Sequence, residues 1–201
     1  MKFISFDLET TGTVAGVDRI VEVGAICFED GQPTRRFSTL VDPLMSIPPG
    51  ASRVNGIFDG IVKGQPTIDQ VLTPFAEFCE DIPMVAHNSP FDTQFLVSDI
   101  KAFETAAPRG QVFDTLALAR KVFPGLSNYR LETLIQHLKI PGTGFHRAEA
   151  DAICCGHLFS KILERAGMST LDFTKLMALT GRPEFRFPQI VPQPKQLMFT
   201  L

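Results

Sequence analysis

Three short segments carry side chains able to do hydrolytic chemistry on a charged substrate. The first is Phe6-Asp7-Leu8-Glu9-Thr10-Thr11-Gly12. In an extended strand, residues two apart project from the same face, so Asp7 and Glu9 would stand side by side. Two carboxylates there repel, and burying them unpaired either costs stability or raises their pKa values. A hard divalent cation relieves both problems. The Thr10-Thr11-Gly12 that follows offers hydroxyls and a tight turn at which backbone can approach a ligand. By itself, Asp-x-Glu describes a solvated strand end just as well.

The second segment is His87-Asn88-Ser89-Pro90-Phe91-Asp92, where a short apolar strand gives way to a helix. A carboxylate near a helix start can act in a site, or it can simply cap the helix and oppose its dipole. The third is His146-Arg147-Ala148-Glu149-Ala150-Asp151. If the helix begins just after His146, Asp151 can face the sheet while His146 hangs over it from the preceding loop. The alternative is a loop histidine followed by an ordinary acid of an amphipathic helix. Each segment has a plain structural explanation, but all three fall at a strand end or at the entry to a helix.

These residues need a scaffold to bring them together. Residues 2–8 read as a strand, and so do 20–29, which are rich in β-branched side chains. Asp30-Gly31 is a hairpin turn signal, and Arg36–Val41 reads as a third strand. Ile47–Gly50 is a loop. Thr67–Cys79 has apolar residues at helical spacing and a capped start through Thr67, Asp69 and Gln70. Pro83–Ala86 and Gln111–Phe113 are short strands. Helices are predicted over Phe91–Phe103, from the cap Asp114 to Phe123, and over Arg130–Leu138, Arg147–Ala166 and Thr170–Leu179. Three strands followed by helices alternating with single strands predict an α/β fold with a mixed sheet and helices on its faces.

With 201 residues the chain can build one substantial core. A single domain is expected over residues 1–181. The stretch 182–201, with Pro183, Pro188, Pro192 and Pro194, is expected to be an extended or mobile tail. A net charge of −3 argues against tight duplex binding by a basic face. It does not exclude a site that recruits cations, because bound ions reverse the local sign. The four cysteines show no C-x-x-C spacing, so no zinc or redox motif is indicated. No apolar run is of membrane-spanning length, and the first residues are too short for a signal peptide; a cytoplasmic protein with no membrane partner is expected.

In this order, the three segments resemble the motifs of the DEDDh 3′→5′ exonucleases, the family of bacterial DNA polymerase III proofreading subunits and exonuclease X. Ile20-Val21-Glu22-Val23-Gly24 also fits the family's second strand, and the resemblance runs roughly from Met1 to Pro183. It implies an RNase H-like domain with a five-stranded mixed sheet. It implies Asp7, Glu9, Asp92 and Asp151 as ligands of two Mg²⁺ or Mn²⁺ ions, Asp7 bridging both, with His146 as general base, a role that neutral imidazole suits near physiological pH and for which His87 is the next candidate. The implied substrate is a single-stranded or frayed 3′ end of DNA, and the product a nucleoside 5′-monophosphate. Leu8 and Phe91 would grip the terminal base, although core packing explains them too. Thr10 and Thr11 would bond the 3′-hydroxyl through backbone amides, and Asn55 and Asn88 would line the substrate. Relatives usually carry histidine where this chain has Asn55, which also suits a turn residue.

Other functions compete with this one. An RNA exonuclease of the oligoribonuclease or RNase T type would use the same residues. A non-catalytic nuclease-fold scaffold would usually have lost an acid or the histidine, and all are present here. An RNase H-like endonuclease would lack His146 in this arrangement. A DNA polymerase and a sliding clamp are the partners to test: Gln196-Leu197-Met198-Phe199 loosely resembles clamp-binding peptides without their usual spacing, and a tail packed on its own domain is the alternative.

Overall fold

The computed structural model describes residues 1–142 and 146–190. Five strands form one mixed sheet in the order β3-β2-β1-β4-β5. They are β1 (Lys2–Thr10), β2 (Ile20–Glu29), β3 (Gln32–Leu40), β4 (Met84–Ala86) and β5 (Val112–Asp114). β1 pairs antiparallel with β2 and parallel with β4, so it is central, and the acids of the first motif stand at its end. β2 and β3 are joined at Asp30-Gly31, and both residues have positive φ, 50° and 79°. Tight hairpin turns require such backbone, and glycine adopts it without steric cost.

The strand period of two splits β1 between two cores. Ile4, Phe6 and Leu8 face one side, beneath α3 (Ile68–Cys79) and α4 (Ser89–Phe103). Phe3 faces the other, with Ile26 and Phe28 of β2, beneath α7 (Ala148–Arg165). That second core also takes in α5 (Thr115–Val122), α6 (Leu131–His137) and α8 (Phe173–Thr180). The result is a helix–sheet–helix sandwich. Two predicted caps are in place: Gln70 accepts the backbone N–H of Thr67 at 3.0 Å, and Asp114 accepts that of Leu116 at 3.0 Å.

Two helices were not predicted, α1 (Pro49–Asn55) and α2 (Asp59–Val62), the first overlapping the expected Ile47–Gly50 loop. They are too short for a helical period to emerge from the sequence. Val62 and Ile57 nevertheless pack with Val21 and Ile47 in a small separate core. β3 begins at Gln32 rather than Arg36, because its exposed first half lies at the sheet edge and shows no apolar alternation. β1 extends to Thr10, which places Glu9 inside the strand.

Beyond Gly181 the chain runs beside β5: the carbonyl of Phe185 accepts the N–H of Val112 at 2.9 Å, and Phe187 is buried. Residues 191–201, including the Gln196–Phe199 peptide, lie outside the described residues. Among the described residues, no helix is long and apolar enough to cross a membrane.

Candidate active site

Asp7 and Glu9 project from the α7 face of β1, since residues of even number on this strand fill the opposite core. α7 begins at Ala148, so Asp151 lies in its first turn and comes down onto the same spot. One carboxylate oxygen from each of Asp7, Glu9 and Asp151 lies within 4.8 Å of the others. Asp92 comes from the start of α4. It is buried, and its Oδ1 accepts the backbone N–H of Leu8 at 3.2 Å. Asp151 accepts the backbone N–H of His146 through Oδ2 at 3.1 Å, while its Oδ1 is buried without a hydrogen-bond partner among the described residues.

Crowding and burial set the electrostatics. Burial pushes the Asp7 carboxyl well above its ordinary range, and Asp92, Asp151 and Glu9 push it further. Glu9 is raised to about 7, chiefly by burial and then by Asp151 and Glu22, with Asn55 and Arg147 pulling the other way. Asp92 and Asp151 are raised too, first by burial, and each is partly held down by backbone hydrogen bonds. These groups fit a hard cation on two counts. Removing protons from the cluster requires an opposite charge, and the unpartnered Asp151 oxygen has the chemistry of a metal ligand.

The remaining predicted residues surround this cluster unequally. His146 is exposed and has positive φ, 66°, immediately before α7. His87 is held elsewhere: its Nε2 meets the carbonyl of Tyr129 at 2.8 Å and its Nδ1 meets Thr115 Oγ1 at 3.0 Å. Asn55 is buried, donates to the Thr10 carbonyl at 3.3 Å and accepts from the Ile57 N–H at 3.0 Å. Thr10 and Thr11 are buried, and Thr11 Oγ1 accepts the N–H of Arg19 at 2.9 Å. The Leu8 side chain lies in the core under α3 and α4. Phe91 is half-buried, 5.2 Å from Phe95 between ring centres. Asn88 has an exposed side chain and left-handed backbone, and its N–H donates to Asp114 Oδ1 at 2.9 Å.

Some participants were not identified from sequence. Asp114 was expected only to cap α5, but its Oδ1 also receives Asn88 and its Oδ2 receives Arg182 Nη1 at 2.6 Å. It therefore ties the entry of α4, and so Asp92, to the segment after α8. Glu22 and Arg147 form an ion pair beside the acids, with 2.6 Å between Nη2 and Oε1. Glu22 stands opposite Glu9 in the β1–β2 pairing, and nothing in the sequence signalled that Arg147 would meet it there.

The sequence model of the RNase_T family, described as exonuclease, matches residues 4–159. The chain belongs to this exonuclease family. The DNA polymerase III subunit epsilon of Treponema pallidum is 38% identical over 163 residues, covering 80% of this chain and 76% of that protein. That of Aquifex aeolicus is 38% identical over 162 residues, covering 81% and 80%. A PolC-type DNA polymerase III of Halalkalibacterium halodurans is 36% identical, but the match spans only 12% of its length. Among solved structures, exonuclease X in complex with 5′ overhanging duplex DNA superposes with a TM-score of 0.71. It is 26% identical and the match covers 89% of this chain and 99% of that one. The DEDDh 3′→5′ exonuclease resemblance and the five-stranded mixed sheet both hold.

Proposed function

We propose that this exonuclease removes nucleotides one at a time from single-stranded or frayed 3′ ends of DNA, using two Mg²⁺ or Mn²⁺ ions. The observation that carries the metal requirement is the meeting of Asp7, Glu9 and Asp151 within 4.8 Å, with one Asp151 oxygen buried and unpartnered among the described residues. Asp7, Glu9 and Asp151 would hold the ions, and Asp92 would complete the set from the α4 side. When bound, such ions supply Lewis-acid stabilisation of the charge that builds on the phosphate oxygens.

The protein's own groups do the rest. His146, exposed at the rim and fastened through its backbone to Asp151, takes a proton from the attacking water. The water oxygen forms a bond to phosphorus, the bond from phosphorus to the 3′-oxygen breaks, and that oxygen is protonated from solvent. The product is a nucleoside 5′-monophosphate. Phe91 is placed at the start of α4, one residue before Asp92, where a ring can support a terminal base. The Leu8 side chain, buried in the core beneath α3 and α4, is not placed to grip a base, and its N–H is taken by Asp92. Asn88 lines the same α4 entry. Thr10 and Thr11 shape the turn that receives the 3′-hydroxyl, and Asn55 fixes that turn from behind. The polymerase subunits among the relatives support work beside a DNA polymerase.

The test is digestion of matched 5′-labelled single-stranded DNA and RNA with Mg²⁺, beside Asp7→Asn. The expected result is a ladder shortening from the 3′ end, faster on DNA, absent in EDTA and nearly absent in the variant. Faster shortening of RNA would give the role to an RNA exonuclease. Internal cuts, or a well-folded Asp7→Asn with substantial turnover, would overturn the proposal.

A further inference from the structure

We infer that Glu22, Gly24 and Arg147 form a clamp that fixes the first turn of α7 on β2, and thereby sets Asp151 and His146 against Asp7 and Glu9. This rests on the metal-dependent reading above and assigns positioning residues to it. In the β1–β2 pairing, Gly24 stands opposite Asp7 and Glu22 opposite Glu9. Both face α7. Glu22 has a side chain only 4% exposed, and both its oxygens are occupied by one stretch of chain. Oε1 accepts Arg147 Nη2 at 2.6 Å and Nε at 3.1 Å. Oε2 accepts Arg147 Nε at 3.1 Å and the Ala148 N–H at 2.9 Å. With its lone pairs engaged, Glu22 stands beside Glu9 as a fastener rather than another ligand. The paired oxygens require the planar fork of arginine, which an ammonium group does not reproduce.

Gly24 supplies the seat. A Cβ there would lie 2.3 Å from the Ala148 carbonyl carbon and 2.4 Å from the Glu149 nitrogen, so any side chain would push α7 off the sheet. The Asp151 N–H donates to the Arg147 carbonyl at 3.0 Å, making Asp151 one helical turn beyond the clamp. A helix moves as a unit, so a shift at residues 147–149 is carried to Asp151 and, on the other side, to His146. Divalent ions bind oxygen within narrow limits of roughly 2.0–2.6 Å, and a site displaced by about 1 Å loses much of its function.

The test uses the full chain with Glu22→Gln/Arg147→Met, which leaves the net charge unchanged and removes together two charges of opposite effect on Glu9. Arg147→Lys keeps the charge without the fork, and Gly24→Ala disturbs the seat without touching charge. Mn²⁺ affinity is read by EPR titration without substrate, together with kcat, KM and Tm. Outer partners of metal ligands typically contribute ~10–100-fold, so the double variant and Gly24→Ala are expected to lose about that factor in Mn²⁺ affinity and kcat, with KM little changed. Arg147→Lys is expected between them and the wild type. Folded variants with wild-type Mn²⁺ affinity and kcat, whatever their Tm, would overturn the clamp. Should the double variant not fold, Arg147→Lys and Gly24→Ala decide by the same criteria. Asp7→Asn in the same titration separates the two failures: wild-type Mn²⁺ binding by that variant refutes the metal site itself.

Discussion

The Oδ1 of Asp92 accepts the N–H of Leu8, the residue between Asp7 and Glu9, so the acid from α4 grips β1 at the middle of the first motif. This bond does two things. It partly stabilises a buried carboxylate that burial otherwise drives toward its protonated form, and it locks the start of α4 to the central strand. Asp92→Asn keeps an oxygen able to accept from Leu8 and removes the repulsion with Asp7. The variant is therefore expected to fold normally, with a metal-free Tm at or above that of the wild type, while turnover falls by at least ~10–100-fold. Thermal scans in EDTA paired with rate measurements check this. Full turnover in Asp92→Asn would remove Asp92 from the site.

The raised carboxyls make the stability of the metal-free protein depend on pH in a definite direction. A carboxyl raised in the folded state binds its proton more tightly there than in the unfolded chain. Its contribution is fully present below the ordinary carboxylate value and is lost as pH rises through the folded value. For Glu9 that window runs from 4.5 to about 7, and the raised values of Asp7, Asp92 and Asp151 act in the same sense. In EDTA, Tm should fall between pH ~5 and ~8, and added Mg²⁺ should raise Tm more at the upper end. Asp7→Asn should flatten this slope, which separates the cluster from general charge effects. A Tm in EDTA that rises across the window, or an equal slope in the variant, would contradict the assignment.

The motif positions were legible because their meaning is local. Asp7 and Glu9 share a face by strand geometry, and His146 to Asp151 straddles a helix start that the apolar pattern marks. What escaped is what depends on a second segment. Nothing near Glu22 in sequence announces Arg147, 125 positions away, and nothing near Asp114 announces Arg182. α1 was missed because seven residues beginning at a proline give no period to read. That absence hid the role of Asn55, which ends α1 facing inward and bonds across to Thr10.

Asn55 joins the end of β1 to the turn after α1. Its amide holds the Thr10 carbonyl and the Ile57 N–H, and it helps keep Glu9 ionised. Asn55→Ala leaves both backbone groups without this partner in a buried place, which typically costs ~1–3 kcal/mol. Urea unfolding should show a loss of that size. Turnover measured well below the transition should also fall, because Thr10 and Glu9 lose a common support. A variant with unchanged stability would mean that water replaces the amide and that Asn55 positions nothing.

The general base can be separated from its backbone. His146 offers Asp151 its N–H, a bond at 3.1 Å that any non-proline residue can make, while its side chain is exposed. Its φ of 66° is a conformation that asparagine tolerates better than most residues. His146→Asn therefore keeps the backbone bond and the turn, and removes a base able to accept a proton. Turnover should drop by about 10²–10⁴-fold, the usual contribution of general-base assistance, with Mn²⁺ affinity close to that of the wild type. His146→Ala should match it in rate, with somewhat lower stability from the less tolerant backbone. A base must be unprotonated to act, so the part of the wild-type pH dependence that comes from this ring should be missing from both variants, leaving only that of the metal site. Single-turnover rates across pH, at saturating metal and substrate, provide the measurement. A pH profile unchanged in His146→Asn would rule the ring out as base. It would not pass the role to His87 in its present position, because both ring nitrogens there are engaged by Tyr129 and Thr115.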